Sequence, residues 1–456
     1  MKNCIFICLF NQKQYEDMFF LLLESIFIYG NLDNDTDILL YTTTEFMNRI
    51  IESHLFDGEK IKFEINDTYN DSDNASVMRL DIFDLQCITN YNKILYLDTD
   101  ILVKDDINKV FNVCNEDIIY ALEEGVIWDS SENEGNRLFE DTIDDYADKS
   151  AFTTGILLFN NCDTIKVLFD NIKEDMATRQ YPNVLFDEPY IVYNAFKYNL
   201  YNNKVLKSFA VNSDNNIHTD KVLHQFSGES VDFKYKIQRM VNFLCKLKEY
   251  TISINTLRTK AYIDEYLLPI IQSCGERLEG NIFMAHLTNT YSNIFENKVK
   301  NISNVVLNKN VKNVMEIGFN AGFSTLLMLI SNPNIKITCY DLGEHVYTIP
   351  CFTKLKEIFG ERINLIIGDS METLQHDREV YDLIHIDGGH SQEVANNDIT
   401  HSYRLSKNGT ILIMDDYDFI GLHALWDESI VKYELRPLQI NIFPCIFHDI
   451  KYVYNK

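Results

Sequence analysis

The 456 residues include 68 acidic and 41 basic side chains, giving a formal net charge of −27 at pH 7. Nucleic-acid binding draws on Lys and Arg to neutralise phosphates, so this balance ranks DNA and RNA low among partners. The length suggests two or three domains of roughly 100–200 residues, and 46% hydrophobic with 24% charged residues is ordinary globular composition.

In chain order, the first half carries the apolar runs CIFICLF, TDILLYT, IKFEI, KILYLDTDILV and AFTTGILLF, separated by helical patterns. The run from Met18 to Tyr29 contains Glu24 and Ser25. It falls short of the roughly 20 apolar residues a spanning helix needs, so it predicts a buried amphipathic helix. The acid-rich stretch Glu132 to Asp148 predicts a solvated loop. From about Asp232 to Ile302 the pattern is helical (IQRMVNFLCKLKEY, AYIDEYLLPIIQ) with no strand run. The second half then gives NVMEIG, IKITCYD, INLIIGD, YDLIHIDGG and GTILIMDDY, and closes on IKYVYN. Strands alternating with helices predict α/β architecture in both halves, with mostly parallel sheets. Strands apolar on successive residues fit sheets covered on both faces. No internal repeat is present. Ten scattered cysteines form no CxxC pair. They read as buried thiols in a reducing compartment, which, with no evident leader, gives a cytoplasmic expectation, host cytoplasm if the chain is viral.

The sharpest feature of the first half is the strand from Lys93 that runs out into Asp98 and Asp100. In extended chain, residues i and i+2 project to one face, so the two carboxylates can converge on one hard cation. In open α/β sheets ligands bind beyond the carboxyl ends of the strands, where these residues lie. Around them stand Arg79, the segment FTTGILLFN with Thr153 and Gly155, then Phe186, Asp187 and Glu188, then His224 and Gly228.

This order resembles the family-8 retaining glycosyltransferases over roughly the first 230 residues. The resemblance implies a single GT-A nucleotide-sugar domain. It implies manganese held by Asp98, Asp100 and His224, Arg79 near the diphosphate, Asp187 near the transferred sugar, and Tyr15 stacked on the base. The chain departs from the family pattern at Thr153, at Glu188, in the spacing from His224 to Gly228, and in lacking a Lys-Pro-Trp, for which Lys234 or Lys236 is a substitute.

In the second half, VMEIGFNAGFSTLL places a strand, a glycine turn and a helix start in order, with Glu316, Gly318 and Gly322. The next strands end at Asp341, at Asp369 with Ser370, at Asp387 followed by His390, and at Asp415 with Asp416. An acid about 20 residues past a glycine turn can bind ribose hydroxyls. Together these motifs resemble class I S-adenosylmethionine-dependent methyltransferases, most closely the sugar and small-molecule O-methyltransferases with a DGxH motif. The resemblance implies a Rossmann-like seven-stranded sheet whose last strand is antiparallel. It implies cofactor contacts from Glu316, Gly318, Gly322, Asp341, Asp369 and Ser370. As in some sugar methyltransferases, magnesium would lie on Asp387, Asp415 and Asp416, with His390 as general base.

The expected organisation is a glycosyltransferase domain over 1–235, a helical connector over 236–302 and a methyltransferase domain over 303–456. The expected function is bifunctional: sugar transfer from a nucleotide donor, UDP-linked by resemblance, to a glycan acceptor, and O-methylation of a sugar hydroxyl. Fusing consecutive steps raises the local concentration of the intermediate. The rival readings are a methyltransferase with an inactive glycan-binding first domain, and a non-enzymatic protein on degenerate enzyme folds. No membrane span is expected, and an oligomer is open.

Overall fold

The computed structural model describes residues 1–69, 77–128, 134–179, 187–227, 233–285, 288, 290–438 and 442–456. Phe186, Gly228 and residues 132–133 of the acid-rich stretch lie outside them. The chain divides into two compact units, one comprising Met1–Ile51 and Asp57–Leu244, the other Glu52–Phe56 and Cys245–Lys456.

The strands of the first unit are β1 (Lys2–Leu9), β2 (Thr36–Thr42), β3 (Ile61–Ile65), β4 (Tyr91–Leu97), β5 (Ile101–Val103), β6 (Ile119–Val126), β7 (Ser150–Asn160), β8 (Tyr201–Asn202), β9 (Ala210–Asn212) and β10 (Leu223–Gln225). Seven form one sheet in the order β3-β2-β1-β4-β7-β6-β8. The first four are mutually parallel, and every residue of β2 is buried. Parallel pairing in turn requires covered faces. The segment AFTTGILLF departs from the parallel expectation: β7 runs antiparallel to both β4 and β6. A second, three-stranded sheet has the order β5-β10-β9. The helix Lys13–Tyr29 buries Met18, Phe19, Leu22, Leu23 and Ile26, the amphipathic element its spacing predicts.

The acid-rich stretch is corrected in part. Asn136–Asp145 forms tight helical turns, because Leu138 and Phe139 are buried in the core of this unit.

The helix Phe233–Tyr262 runs from the first unit into the second. A short π-helical stretch Ile263–Leu267 and the helix Leu268–Cys274 follow, then the helix Glu296–Val306. The second sheet comprises β11 (Asn313–Ile317), β12 (Lys336–Asp341), β13 (Ile363–Ile367), β14 (Tyr381–Ile386), β15 (Ser406–Asp415), β16 (Arg436–Pro437) and β17 (His448–Tyr452). Its order is β13-β12-β11-β14-β15-β17-β16. The five long strands are parallel and β17 is antiparallel to β15. This is a Rossmann-like sheet, and its order reverses between β11 and β14. Ligands bind at such switch points, beyond the carboxyl ends of the strands. No helix among the described residues is long and apolar enough to cross a membrane.

At that switch point Gly318 has φ +95, and a Cβ there would run into the carbonyl oxygen of Asp387. Only glycine allows both the turn and this approach. Gly318→Ala is therefore expected to destabilise the second unit by more than about 2 kcal/mol, from backbone strain plus the clash. Hydrogen exchange of the β11 and β14 amides reads this; wild-type protection in the variant would contradict it.

Candidate functional sites

The first site lies where the chain passes from the large sheet of the first unit to the small one. The Asp98 amide donates to the Gly155 carbonyl at 2.9 Å, still within the β4–β7 pairing, while the Asp100 carbonyl accepts from the Phe226 amide at 2.9 Å in the second sheet. Residues 98–100 are thus a turn between sheets, not the continuous extended chain the sequence suggests. The two carboxylates accordingly take different partners. Asp98 Oδ1 accepts from the Tyr96 hydroxyl at 2.5 Å and lies 3.7 Å from Arg79 Nη1. Asp100 Oδ2 pairs with Lys236 Nζ at 2.7 Å.

Arg79 is the hub of this site. Its Nη1 donates to the Thr154 carbonyl at 2.7 Å, and its Nε and Nη2 reach Asp187 at 2.8 and 3.2 Å. The guanidinium also covers the Tyr96 ring, 4.9 Å from its centre. Glu188 Oε2 accepts from the Thr154 amide and hydroxyl at 3.0 and 2.7 Å. Glu188 and the FTTG segment, two of the departures from the family pattern, thus contact each other. Gly155 has a steric reason: an added Cβ would meet the Gln225 amide and, at 3.0 Å, Asp98 Oδ2. Tyr15 is half-buried beside the site, its ring edge-on to Phe233 at 5.1 Å.

Burial pushes the Asp187 carboxyl up to about 6 against the pull of Arg79. It also raises Asp100, with Lys236 opposing. Asp98, Asp100, Asp187 and Glu188 face two cations, Arg79 and Lys236. Two negative charges remain, and Asp100 Oδ1 is buried without a hydrogen-bond partner. That excess and that oxygen fit a divalent cation.

His224 does not join the aspartates. It is fully buried, its Nε2 faces the Thr219 hydroxyl at 3.2 Å, and its Nδ1 faces the Asp214 carbonyl at 3.4 Å. Its ring packs on Phe243, and burial lowers its pKa to about 4. Asp98, Asp100 and His224 are not gathered as a ligand set. The reason lies in β10, where His224 pairs opposite Leu102 inside the small sheet.

The second site is a cavity of about 620 Å³ at the carboxyl rim of the second sheet. Gly318, Asp341, Asp369 and Ser370 line one part of it, and Lys298, Asp387, His390 and Asp416 line another. Asp341 organises the glycine loop. Its Oδ2 accepts the amides of Phe319 and Asn320 at 2.9 and 2.7 Å, and its Oδ1 accepts that of Gly343 at 2.7 Å. Asp369 caps the short helix Ser370–Thr373 by accepting from the Met371 amide at 2.9 Å.

Two expected cofactor contacts are not on the cavity wall. Gly322 begins the helix Phe323–Ser331 with φ +77, tucked against Phe319 and Leu355. Glu316 is fully buried. It accepts from the Ser324 hydroxyl at 2.6 Å and from the Thr325 hydroxyl, and meets His385 Nδ1 at 3.0 Å.

His385 is the residue that sequence reasoning missed. It stands opposite Glu316 in the β11–β14 register. Strand alternation puts His385 and Asp387 on one face, and Ile413, opposite His385, puts Asp415 on that face too. The signal was present in YDLIHID, where a polar residue interrupts an apolar run two positions before the terminal acid. His385, Asp387 and Asp415 have ligand atoms within 4.8 Å of one another, the one such group among the described residues. Burial lowers the His385 pKa, but hydrogen bonds to Asp415 and Glu316 outweigh it and push it up to about 10.

Asp416 is not in this group. Its backbone turns to φ +52, and its Oδ2 lies 2.7 Å from His390 Nε2. The expected magnesium does not fit as the sequence suggests, because the Lys298 ammonium lies directly on Asp415 Oδ2 and Asp416 is engaged elsewhere. Lys298 also escaped sequence reasoning; it reaches the strand ends from the helix Glu296–Val306, and no local pattern announces it.

With both geometries in hand, a family model described as glycosyl transferase family 8 matches residues 22–172, and one described as a methyltransferase domain matches residues 315–417. The chain thus carries a glycosyl transferase family 8 match in its first unit and a methyltransferase-domain match in its second. No curated protein matches it. Among solved structures, the bifunctional glycosyltransferase WbbM in its apo form is similar at 16% identity and TM-score 0.39, over 54% of this chain and 51% of its own. This chain therefore spans about half the length of WbbM. The O-methyltransferase from Bacillus cereus in complex with SAH is similar at 15% identity and TM-score 0.32, over 45% of this chain and 100% of its own. The SAH-bound Podospora anserina methyltransferase PaMTH1 is similar at 13% identity and TM-score 0.32, over 44% and 95%.

In the glycosyltransferase unit, the folded Asp187 binds its proton more tightly than the unfolded chain does. It therefore stabilises the fold fully below the unfolded pKa of 3.8, and this contribution is lost as pH rises through about 6. A carboxyl-carbon NMR titration is expected to give a midpoint near 6 for Asp187. A midpoint at or below about 4, the ordinary Asp value, would show that the Arg79 pair outweighs burial.

Proposed function

We propose that this enzyme builds and caps a glycan. The glycosyltransferase unit transfers a sugar from a nucleotide donor, UDP-linked by the family resemblance. The methyltransferase unit methylates a sugar hydroxyl, with S-adenosylmethionine as methyl donor. The observation that carries the reading is the cavity at the carboxyl rim of the second sheet. It sets the loop anchored on Asp341 beside a His390–Asp416 pair, so a cofactor wall and an acid–base wall face one space.

In the first unit, Asp98 and Asp100 would hold manganese, which supplies charge to offset a departing diphosphate. Arg79 adds fixed positive charge at the same place. Its three ties, to Thr154 and twice to Asp187, hold the guanidinium in orientation before any donor arrives. Asp187 lies at the donor's sugar in this reading, and Tyr15 lies at its base.

In the second unit, Gly318, Asp341, Asp369 and Ser370 would hold the methyl donor. Bound there, S-adenosylmethionine would supply a sulfonium methyl to an acceptor hydroxyl oxygen, with the methyl–sulfur electron pair left on sulfur. One proton must leave that oxygen. His390 takes it on Nδ1, because its Nε2 faces Asp416. Asp416 fixes the orientation of the ring. Glu316 supports the site from beneath, through His385 and the start of the helix Phe323–Ser331.

A screen of nucleotide sugars with manganese and of S-adenosylmethionine by thermal shift tests the reading, since ligands that bind only the folded form raise the melting temperature. No shift with any nucleotide sugar, together with no turnover, would leave the first unit as a glycan-binding domain. His390→Ala is expected to lower methyl transfer by roughly 10²–10⁴-fold, the usual worth of a general base, with S-adenosylmethionine affinity unchanged in calorimetry. A variant that keeps its rate removes His390 from the chemistry. Asp98→Asn is expected to abolish donor turnover while methyl transfer persists.

A further inference from the structure

Lys298 is a long cationic side chain with little contact with water, its side chain 8% exposed. It comes from the helix Glu296–Val306 and ends at the rim of the methyltransferase sheet, where it lines the cavity. Its ammonium lies on Asp415 Oδ2, and His385 Nε2 lies 3.4 Å from the same oxygen. Asp387 completes the group, with ligand atoms of His385, Asp387 and Asp415 within 4.8 Å of one another. Two strand-end carboxylates on adjacent strands form the usual setting for a hard divalent ion. Here a protein cation reaches one of them first.

The pair is not incidental packing. Burying an ammonium costs several kcal/mol unless it is matched by charge, and Asp415 is fully buried alongside it. Lys298 also lines the cavity, and the Phe295 ring centre lies 5.9 Å from its nitrogen. The charged groups around it are Asp415, Asp387, Asp416 and His385.

We propose that Lys298 is the resident cation of the methyl-transfer site, supplying at Asp415 and Asp387 the positive charge that a divalent ion would otherwise supply and directing an acceptor hydroxyl toward the methyl donor without metal. The inference rests on the reading that a hydroxyl is methylated in this cavity. An ammonium has three N–H donors. With one on Asp415, others are available to an acceptor oxygen. Lys298 is thus a positioning residue whose charge takes over the orienting role of an ion, while His390 removes the proton.

The test is calorimetry on the full chain carrying Asp98→Asn and Asp100→Asn, so that the glycosyltransferase carboxylates do not report. S-adenosylmethionine is titrated first, then magnesium chloride into the cofactor-bound protein. Cofactor binding without magnesium binding is expected. Magnesium binding with a Kd below about 1 mM, equivalent to about −4.1 kcal/mol, overturns the inference. Absent cofactor binding strikes the methyltransferase reading instead, so the two failures are separable. In the same background Lys298→Met is expected to keep cofactor affinity and to gain one magnesium site, whereas Lys298→Arg, which retains the charge, gains none. A Lys298→Met protein that binds the cofactor but not magnesium counts against the proposal. Should Lys298→Met fail to fold, the parent and Lys298→Arg titrations still decide the question.

Discussion

Each unit of this enzyme collects carboxylates at the carboxyl rim of a parallel sheet and holds them with very few cations. In the glycosyltransferase unit, Arg79 and Lys236 serve Asp98, Asp100 and Asp187. In the methyltransferase unit, Lys298 and His385 serve Asp415, Asp387 and Glu316. Burial raises the pKa of carboxylates and neighbouring acids raise it further, as at Asp187 beside Asp98 and at Asp387 beside Asp415. The penalty persists because the strands that place these groups are themselves deeply packed. Leu95 and Leu97 precede Asp98 with no exposure, and Ile384 and His385 likewise precede Asp387. The fold thus presents concentrated negative charge at a fixed rim, ready for a cationic or hydrogen-bonding ligand.

The two rims solve the same problem differently. At the first, the compensating cations leave two negative charges and one unpartnered carboxylate oxygen, Asp100 Oδ1. At the second, Lys298 and His385 converge on a single oxygen of Asp415, and burial, which alone would raise that carboxyl, is overcome chiefly by Lys298, so it sits far below the ordinary range. Asp415 is thereby committed as an anion held by the protein. A site with leftover charge invites an external ion; a site already matched by an ammonium does not. The difference follows from where the compensating cations come from.

Much of this was legible in the chain. Strand-end acids announce themselves because an apolar run of five to seven residues fixes the strand and its last pleat fixes the acid's direction; Asp98, Asp387 and Asp415 were found on those terms. The alternation that should have exposed His385 was masked by its surroundings, since a histidine inside IHI reads as core. Lys298 was beyond local reasoning, because its role depends on a helix packing across the strand ends. His224 illustrates the opposite error. The resemblance to a family assigned it a ligand role, yet VLHQF is an apolar strand, and burial in the small sheet turned its ring toward Thr219, Asp214 and Phe243.

The turn at residues 98–100 shows why spacing alone misled. Residues i and i+2 share a face only while the strand continues, and here the chain leaves one sheet after Asp98 and joins another at Ile101. The consequence is chemical. Asp98 stays with the Arg79 group and keeps 35% of its side chain exposed, while Asp100 sinks toward Lys236 with only 11% exposed. Asp98 and Asp100 are the residues that would hold a cation here, Asp98 through a partly exposed carboxylate and Asp100 with Oδ1 unpartnered while Lys236 holds Oδ2. Lys236 thus takes one oxygen of Asp100 and leaves the other without a hydrogen-bond partner, whereas Lys298 and His385 both lie on the same oxygen of Asp415. That contrast, one lysine beside an open carboxylate oxygen and one lysine sharing an oxygen with a histidine, separates a rim with negative charge to spare from a rim matched by the protein's own cations.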